Sequence, residues 1–451
     1  MKDSTFLVES VKKLLRRGAT THLLNMLQKV RAADLAEAFK LLDEDDRASA
    51  FRLLAERATG AAAALLGEIH PTLRADLVRG MAPEEMARVL QTLASDDVAE
   101  ILAVAPAEDR QRILSLMQRE ASEEVQDLLE YEDETAGRIM TTRFLALPEA
   151  TSVQEAITAV QKAQEAEMVF YLYVVDAHGH LHGVLSLRRL LTVPPETRLR
   201  DIMASDVITV RAETDQEEVA RIVSRYDLLA VPVVDAENIL VGIVTVDDVV
   251  DVMREEATED FYKLAGTSDE ERLTKSTLRS AQVRVPWMLA AFVGGTLAAL
   301  VIKQYDAILG RATVLACFIP VVLGMGGNIG TQAATIMVRG LSTGRISLRQ
   351  TGGVIFKEIR IALLLGLLFG ALLGLVAVLL VGLRFPAGLI VGLSLWVSMA
   401  LAAVVGSVLP MLLKVIHVDP AVATSPFVTT AVDLLGLLAL FGLVGPRLVA
   451  G

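Results

Sequence analysis

The chain has 451 residues, with 43 Lys and Arg against 55 Asp and Glu, for a formal net charge of −12. From Arg284 onward eleven basic side chains stand against four acidic ones (Asp306, Glu358, Asp419 and Asp433), a net of +7, while residues 1–283 carry a net of −19. The acidic leading part argues against nucleic acid as a partner, because phosphate binding needs basic patches; the single cysteine, Cys317, excludes a disulfide framework or thiolate metal site. The opening stretch MKDSTFLVESVKKLLRRG lacks the apolar core of a signal peptide. Residues 1–132 read as helix throughout, with Phe6, Val8, Val11, Leu14 and Leu15 on one amphipathic face. Segments Asp34–Leu42, Pro83–Leu93, Asp96–Val104 and Glu108–Met117 each begin with an acidic or Pro-led start and continue as an apolar stripe. They predict an all-α, solenoid-like domain. Within it Asp96, Asp97 and Glu100 share one turn, which alone reads as a helix cap with solvated charge.

From residue 133 to 253 the pattern becomes α/β. Strands are predicted at Phe170–Asp176, Leu181–Ser186, Val207–Val210, Ala230–Asp235 and Leu240–Thr245, with helices at Val153–Ala163 and Gln216–Tyr226. Two phrases recur, LYVVDAHGHLHGVLSLRRL and VPVVDAENILVGIVTVDDV, each preceded by a related lead-in, AGRIMTTRF and LRDIMASDV. This doubled unit resembles a pair of CBS motifs. The resemblance implies a nucleotide pocket that Asp248, Arg188 and Tyr171 would line, with ATP as the ligand; Arg189 stands where the first copy would carry a second Asp. His178, His180 and His182 alternate along a strand and read as a solvated hairpin rather than a metal site.

Residues 254–283 form a connecting segment. It continues an acidic helix, Asp247 to Lys263, on which Asp248, Asp251, Glu255 and Glu259 share one face, flanked by Glu256 and Asp260. Like charges at this spacing repel by a few tenths of a kcal/mol per pair, and a bound divalent cation would reverse that cost. Gly266 ends the helix, and Ser268 with Glu271 predicts a capping box for the next.

Residues 284–451 hold five apolar stretches, Val285–Ile302, Ala312–Val338, Ile361–Leu383, Ala387–Leu413 and Ala421–Leu443, each near or beyond the ~18–20 residues that cross a bilayer. Basic residues concentrate before the first and between the second and third, which puts the N-terminus in the cytosol and the C-terminus outside. The second stretch carries Pro320, Gly324, Gly326, Gly327 and Gly330, a pattern that with Asn328 and Gln332 predicts a broken helix whose freed carbonyls line a pathway, the alternative being close helix packing through small residues. In the fifth, Ser425 and Thr429 accompany Asp433, a carboxylate at membrane depth costing roughly 3 kcal/mol unless it meets water, an ion or a partner. A His-Glu-x-x-His helix is absent, and His417 is the only histidine after Arg284, so a membrane metalloprotease is not indicated.

In this order the parts resemble the MgtE family of magnesium transporters or channels, most specifically through DQEEVAR, GIVTVDDV, EATED, PVVLGMGGNIGTQAAT and VDPAV…SPFVTTAVDLLGLL. The resemblance implies a homodimer in the bacterial cytoplasmic membrane that passes Mg²⁺ inward and closes when cytosolic Mg²⁺ binds between acidic domains. It makes Asp433 the pore carboxylate, with Asn328, Gly327, Ser425 and Thr429 along the pathway and Asp419 at the cytosolic mouth. It assigns Asp96, Glu100, Asp215, Glu217, Asp227, Asp248, Asp251, Glu255, Glu256, Glu259 and Asp260 to regulatory metal sites. Ala64, Thr331, Ser425, Leu228 and Arg189 depart from the family pattern. A transporter of Mn²⁺ or Co²⁺ with the same architecture is the alternative.

Overall fold

The computed structural model describes residues 2–163, 170–268, 277–311, 313–347, 350–421 and 426–449. The chain divides into two compact units, Met1–Met253 and Arg254–Gly451.

The first unit begins with ten helices, from Lys2–Arg16 to Arg119–Glu130. The predicted segments appear as Ala32–Leu41, Pro83–Leu90, Ser95–Ala103 and Ala107–Leu116. Their starts follow local chemistry: Asp43 accepts from the Asp46 amide, and Pro71 and Pro83 sit in first turns, where a missing N–H costs nothing. Buried arginines tie successive helices together. Arg47 donates to Phe39 O (3.0 Å) and Leu42 O (2.7 Å), and Arg74 to Ile69 O (3.2 Å) and Gly67 O (2.8 Å). Carbonyls left open at helix C-termini are thereby satisfied away from water.

The same unit continues into two three-stranded sheets of like topology. In the first, β1 (Ala146–Pro148) runs parallel to β2 (Tyr171–Val175), which pairs antiparallel with β3 (Leu181–Ser186). In the second, β4 (Val210–Arg211), β5 (Ala230–Val234) and β6 (Leu240–Thr245) repeat that arrangement. The register slips at Val174/Val175 and again at Val233/Val234, the matching place in each copy. The predicted strand Val207–Val210 is reduced to Val210–Arg211, and β1 escaped prediction because three residues carry no measurable alternation. The copies exchange a side chain each. A Cβ on Gly242 of the second copy would lie 2.5 Å from Met140 Sδ of the first, and one on Gly183 of the first would lie 2.6 Å from Met203 Sδ of the second.

Among its described residues the second unit contains five helices long and apolar enough to cross a membrane. They are Thr277–Gln304, Ile319–Ser342, Thr351–Leu379, Phe385–Val415 and Pro426–Val449, here spans one to five. Span two overturns a prediction. It is one continuous α-helix through Gly324, Gly326, Gly327 and Gly330, with Pro320 in its first turn. No break frees carbonyls there. Instead two of the glycines admit neighbouring helices: Val432 and Ser398 close on Gly326, and Gly406 of span four packs on the backbone of Gly330. This is packing through small residues, where close backbone approach supplies the van der Waals contact that lipid cannot. Spans three and four meet likewise, a Cβ on Gly370 lying 2.6 Å from Gly392 O. The predicted Ser268–Glu271 box involves Glu271, which lies outside the described residues.

Candidate ion pathway and regulatory sites

Asp433 sits on span five, one residue after Val432, whose methyls pack against Gly326 and Gly330 of span two. On the other side Thr430 fills the space at Gly294 of span one. These contacts fix the rotation of span five and leave Asp433 partly exposed. Among the described residues its carboxylate has no hydrogen-bond or ion-pair partner. Thr429, one turn earlier, donates to Pro426 O at 3.2 Å. Ser425 lies outside the described residues.

Asn328 is exposed on span two, together with Thr331, Gln332 and Thr335, at spacings of three and four that define one stripe. Gly327 borders open space. The chain itself leaves this polar stripe of a membrane-length helix uncovered, where hydrocarbon would be a poor solvent for it. Asp433 and Asn328 stand on adjoining spans. Sequence reading missed Ser398 of span four, a residue 1% exposed, whose Oγ has no hydrogen-bond partner among the described residues where Gly326 and Gly436 approach it.

A second cluster lies outside the spans' cores, at the end of helix Val246–Leu264. Lys263 Nζ is 2.6 Å from Glu259 Oε1 and 2.7 Å from Asp419 Oδ2. Asp419 Oδ1 accepts from the Ala421 amide at 2.8 Å. Burial alone would lower the Lys263 ammonium pKa, but the Asp419 and Glu259 carboxylates outweigh it and hold it above its ordinary value. Asp260 lies 3.8 Å from Arg339 of span two. Burial raises the Asp260 carboxyl pKa and the Asp419 charge adds to the rise, against the Ser342 hydroxyl and Arg339. Lys263 and Arg339 were not singled out by sequence, although a Glu–Lys pair four apart on a helix was a readable signal.

Several of the remaining predicted acids already do structural work in the first unit. Asp96 is buried in the first turn of its helix rather than capping it, and the N-cap is Ala94. Glu100 pairs with the buried Arg74 at 2.7 Å. Asp215 caps its helix by accepting from Glu217 N at 2.8 Å, and Asp227 ends that helix in a left-handed conformation, φ 50°. Asp248 accepts from the Thr245 hydroxyl. Asp251 and Glu255 are exposed, Glu256 partly so. Among the described residues no three His, Cys, Asp or Glu side chains converge as a metal site would require. Carboxylates without an ion between them repel, and a single chain gives them no reason to gather.

Near the CBS-like cleft residues, Tyr171 is half-buried on β2 and Arg188 is exposed on the short helix after β3. In the first copy Ser186 accepts from the Arg189 amide at 3.3 Å; in the second, Thr245 instead holds Asp248. The His-rich turn is built by Asp176, which accepts from the amides of His178 and His180 and from His180 Nδ1 at 2.8 Å. The His180 hydrogen bond draws the Asp176 carboxyl well below the usual range.

Residues 319–443 match a family profile described as MgtE, divalent cation transporter; residues 30–134 match the MgtE intracellular N domain; residues 136–196 and 199–255 match CBS domains. Magnesium transporter MgtE of Thermus thermophilus is 42% identical over 320 residues, 69% of each chain. That of Enterococcus faecalis is 39% identical over 320 residues, 70% of each. Two solved structures align at TM-score 0.51: the soluble part of a magnesium transporter (32% identity, 56% of this chain, 99% of that one) and the cytosolic domain of the Mg²⁺ channel MgtE in complex with ATP (38%, 54% and 99%). The helical domain, the paired CBS sheets and the five long helices are arranged along the chain as those matches require, and the protein belongs to the MgtE family of transporters, which are not enzymes.

Proposed function

We propose that this chain is a Mg²⁺-selective channel or transporter that mediates influx and is gated shut by cytosolic Mg²⁺. The observation that carries the reading is Asp433, a carboxylate on a membrane span with no partner among the described residues. Relatives at about 40% identity are magnesium transporters, which favours Mg²⁺ over Mn²⁺ or Co²⁺ as cargo. Mg²⁺ gives up its water reluctantly and binds proteins through one or two carboxylates plus several waters. In a homodimer two Asp433 would face one hydrated ion, with Asn328, Thr429, Gly327 and Ser425 beside the path. The uncovered stripe Asn328–Thr335 supports such a partner, because a second copy and a watery path would together solvate it.

The rest of the reading follows from charge. Residues 1–132, 133–253 and 254–283 form the cytosolic helical domain, CBS pair and connecting segment, and 284–451 the membrane domain of a protein in the bacterial cytoplasmic membrane, with its C-terminus outside. A part carrying a net charge of −19 repels itself. Mg²⁺ bound by Asp96, Glu100, Asp215, Glu217, Asp227, Asp248, Asp251, Glu255, Glu256, Glu259, Asp260 and Asp419 across subunits draws it together and shifts the population toward the closed state. ATP, present in one relative's cytosolic domain, would bind at Tyr171, Arg188 and Asp248. The deciding experiment is Mg²⁺ flux into vesicles holding the purified protein, with Mg²⁺ varied on the cytosolic side and Mn²⁺ and Co²⁺ as competitors. Flux that falls as cytosolic Mg²⁺ rises is expected; no flux, or a preference for Mn²⁺ or Co²⁺, overturns the reading.

A further inference from the structure

We propose that the Lys263 ammonium is a tethered occupant of the cation position between Glu259 and Asp419. A divalent cation binds there by displacing it, so Lys263 sets the cation concentration at which the transporter closes. This rests on the reading of Glu259 and Asp419 as ligands of a regulatory cation. The donors fit such an ion: two carboxylates, hard oxygen ligands, already gathered about a positive charge.

The geometry is that of a stand-in. One ammonium bridges carboxylates 160 residues apart in the chain, at 2.6 and 2.7 Å. Asp419 is preset for the role by its second oxygen, held by the Ala421 amide. Glu259 and Lys263 lie four apart on one helix, so the lysine stays tethered beside the position when it is displaced. Lysine is a compact charge on a flexible stem, suited to swing aside. It neutralises one of two negative charges; a divalent ion neutralises both. The ion must therefore win the position from a group at very high effective concentration, and its apparent affinity is lowered by the fraction of time the lysine is away.

The test uses the full chain in lipid nanodiscs and vesicles, titrated with Mg²⁺ from chelator upward. Two midpoints are read: protection from thermolysin and inhibition of flux. Lys263→Met and Lys263→Gln, which keep bulk and lose charge, are expected to close at Mg²⁺ lower by on the order of fivefold. Lys263→Arg, which keeps the charge, stays near wild type. Midpoints unchanged or raised in both neutral variants, with wild type responding normally, overturn the competition while leaving the sensor intact. A wild-type protein whose protection ignores Mg²⁺ overturns the sensor and this proposal with it.

Discussion

Gly406 of span four rests on the backbone of Gly330 in span two, and a Cβ at Gly406 would fall well inside contact distance of the Gly330 carbonyl oxygen. Backbone cannot yield as a flexible side chain does. Gly406→Val forces the two helices apart and should destabilise the membrane unit by at least the ~1–3 kcal/mol of an overpacked core. Thermal unfolding in detergent checks this. Gly327→Ala, on the same span but beside open space, should leave the melting temperature within a degree or two.

Asp433 offers a cleaner separation of function from stability. An unpartnered charge at membrane depth is a cost to the fold, roughly 3 kcal/mol on insertion scales. Asp433→Ala and Asp433→Asn should therefore melt no lower than wild type while Mg²⁺ uptake falls at least about tenfold. A variant that loses uptake together with its fold would point to a packing role instead.

Arg74 is buried in the helical domain, where it serves Gly67 O and Ile69 O and meets Glu100. Arg74→Met keeps much of the volume and strands the buried Ile69 carbonyl and the partly buried Gly67 carbonyl, at a cost of about 2 kcal/mol. Urea unfolding of the full chain followed by a probe in the helical domain should show it. Glu100→Gln should cost less than 1 kcal/mol, because Glu100 is largely exposed.

The His-rich turn predicts a pH dependence. Asp176 is held below its ordinary value of 3.8 by the His180 hydrogen bond. A carboxyl lowered in the folded state adds stability that is present above the unfolded value and lost as pH falls through the folded one. Asp176→Asn should therefore lower the melting temperature at pH 7, and its deficit against wild type should shrink below about pH 3.8. A deficit that is constant from pH 7 to pH 3 would contradict the assignment.

Much of this was legible from residues. The doubled phrase around Val174–Asp176 and Val233–Asp235 announced two equal sheets because alternation and repetition are local properties. The five spans were legible because twenty apolar residues have few other uses. The glycines of span two misled for a physical reason. Glycine both breaks helices and permits their close approach, and only the partner, Gly406 or Val432, decides between the two. The lysine bridge to Asp419 was illegible because its halves are joined by tertiary structure alone. The acids of the first unit were visible as charges, but cap, ion pair and buried carboxylate differ only in what surrounds them.

Met140 lies across Gly242, and Met203 across Gly183. Each copy thus carries the plug for its sibling's missing side chain, so neither is finished alone. Expressed singly, either half would show an open notch where the foreign thioether belongs. Cut at the crossing near Pro194 and Pro195, the two pieces should stay clasped, like hands that each hold the other's wrist.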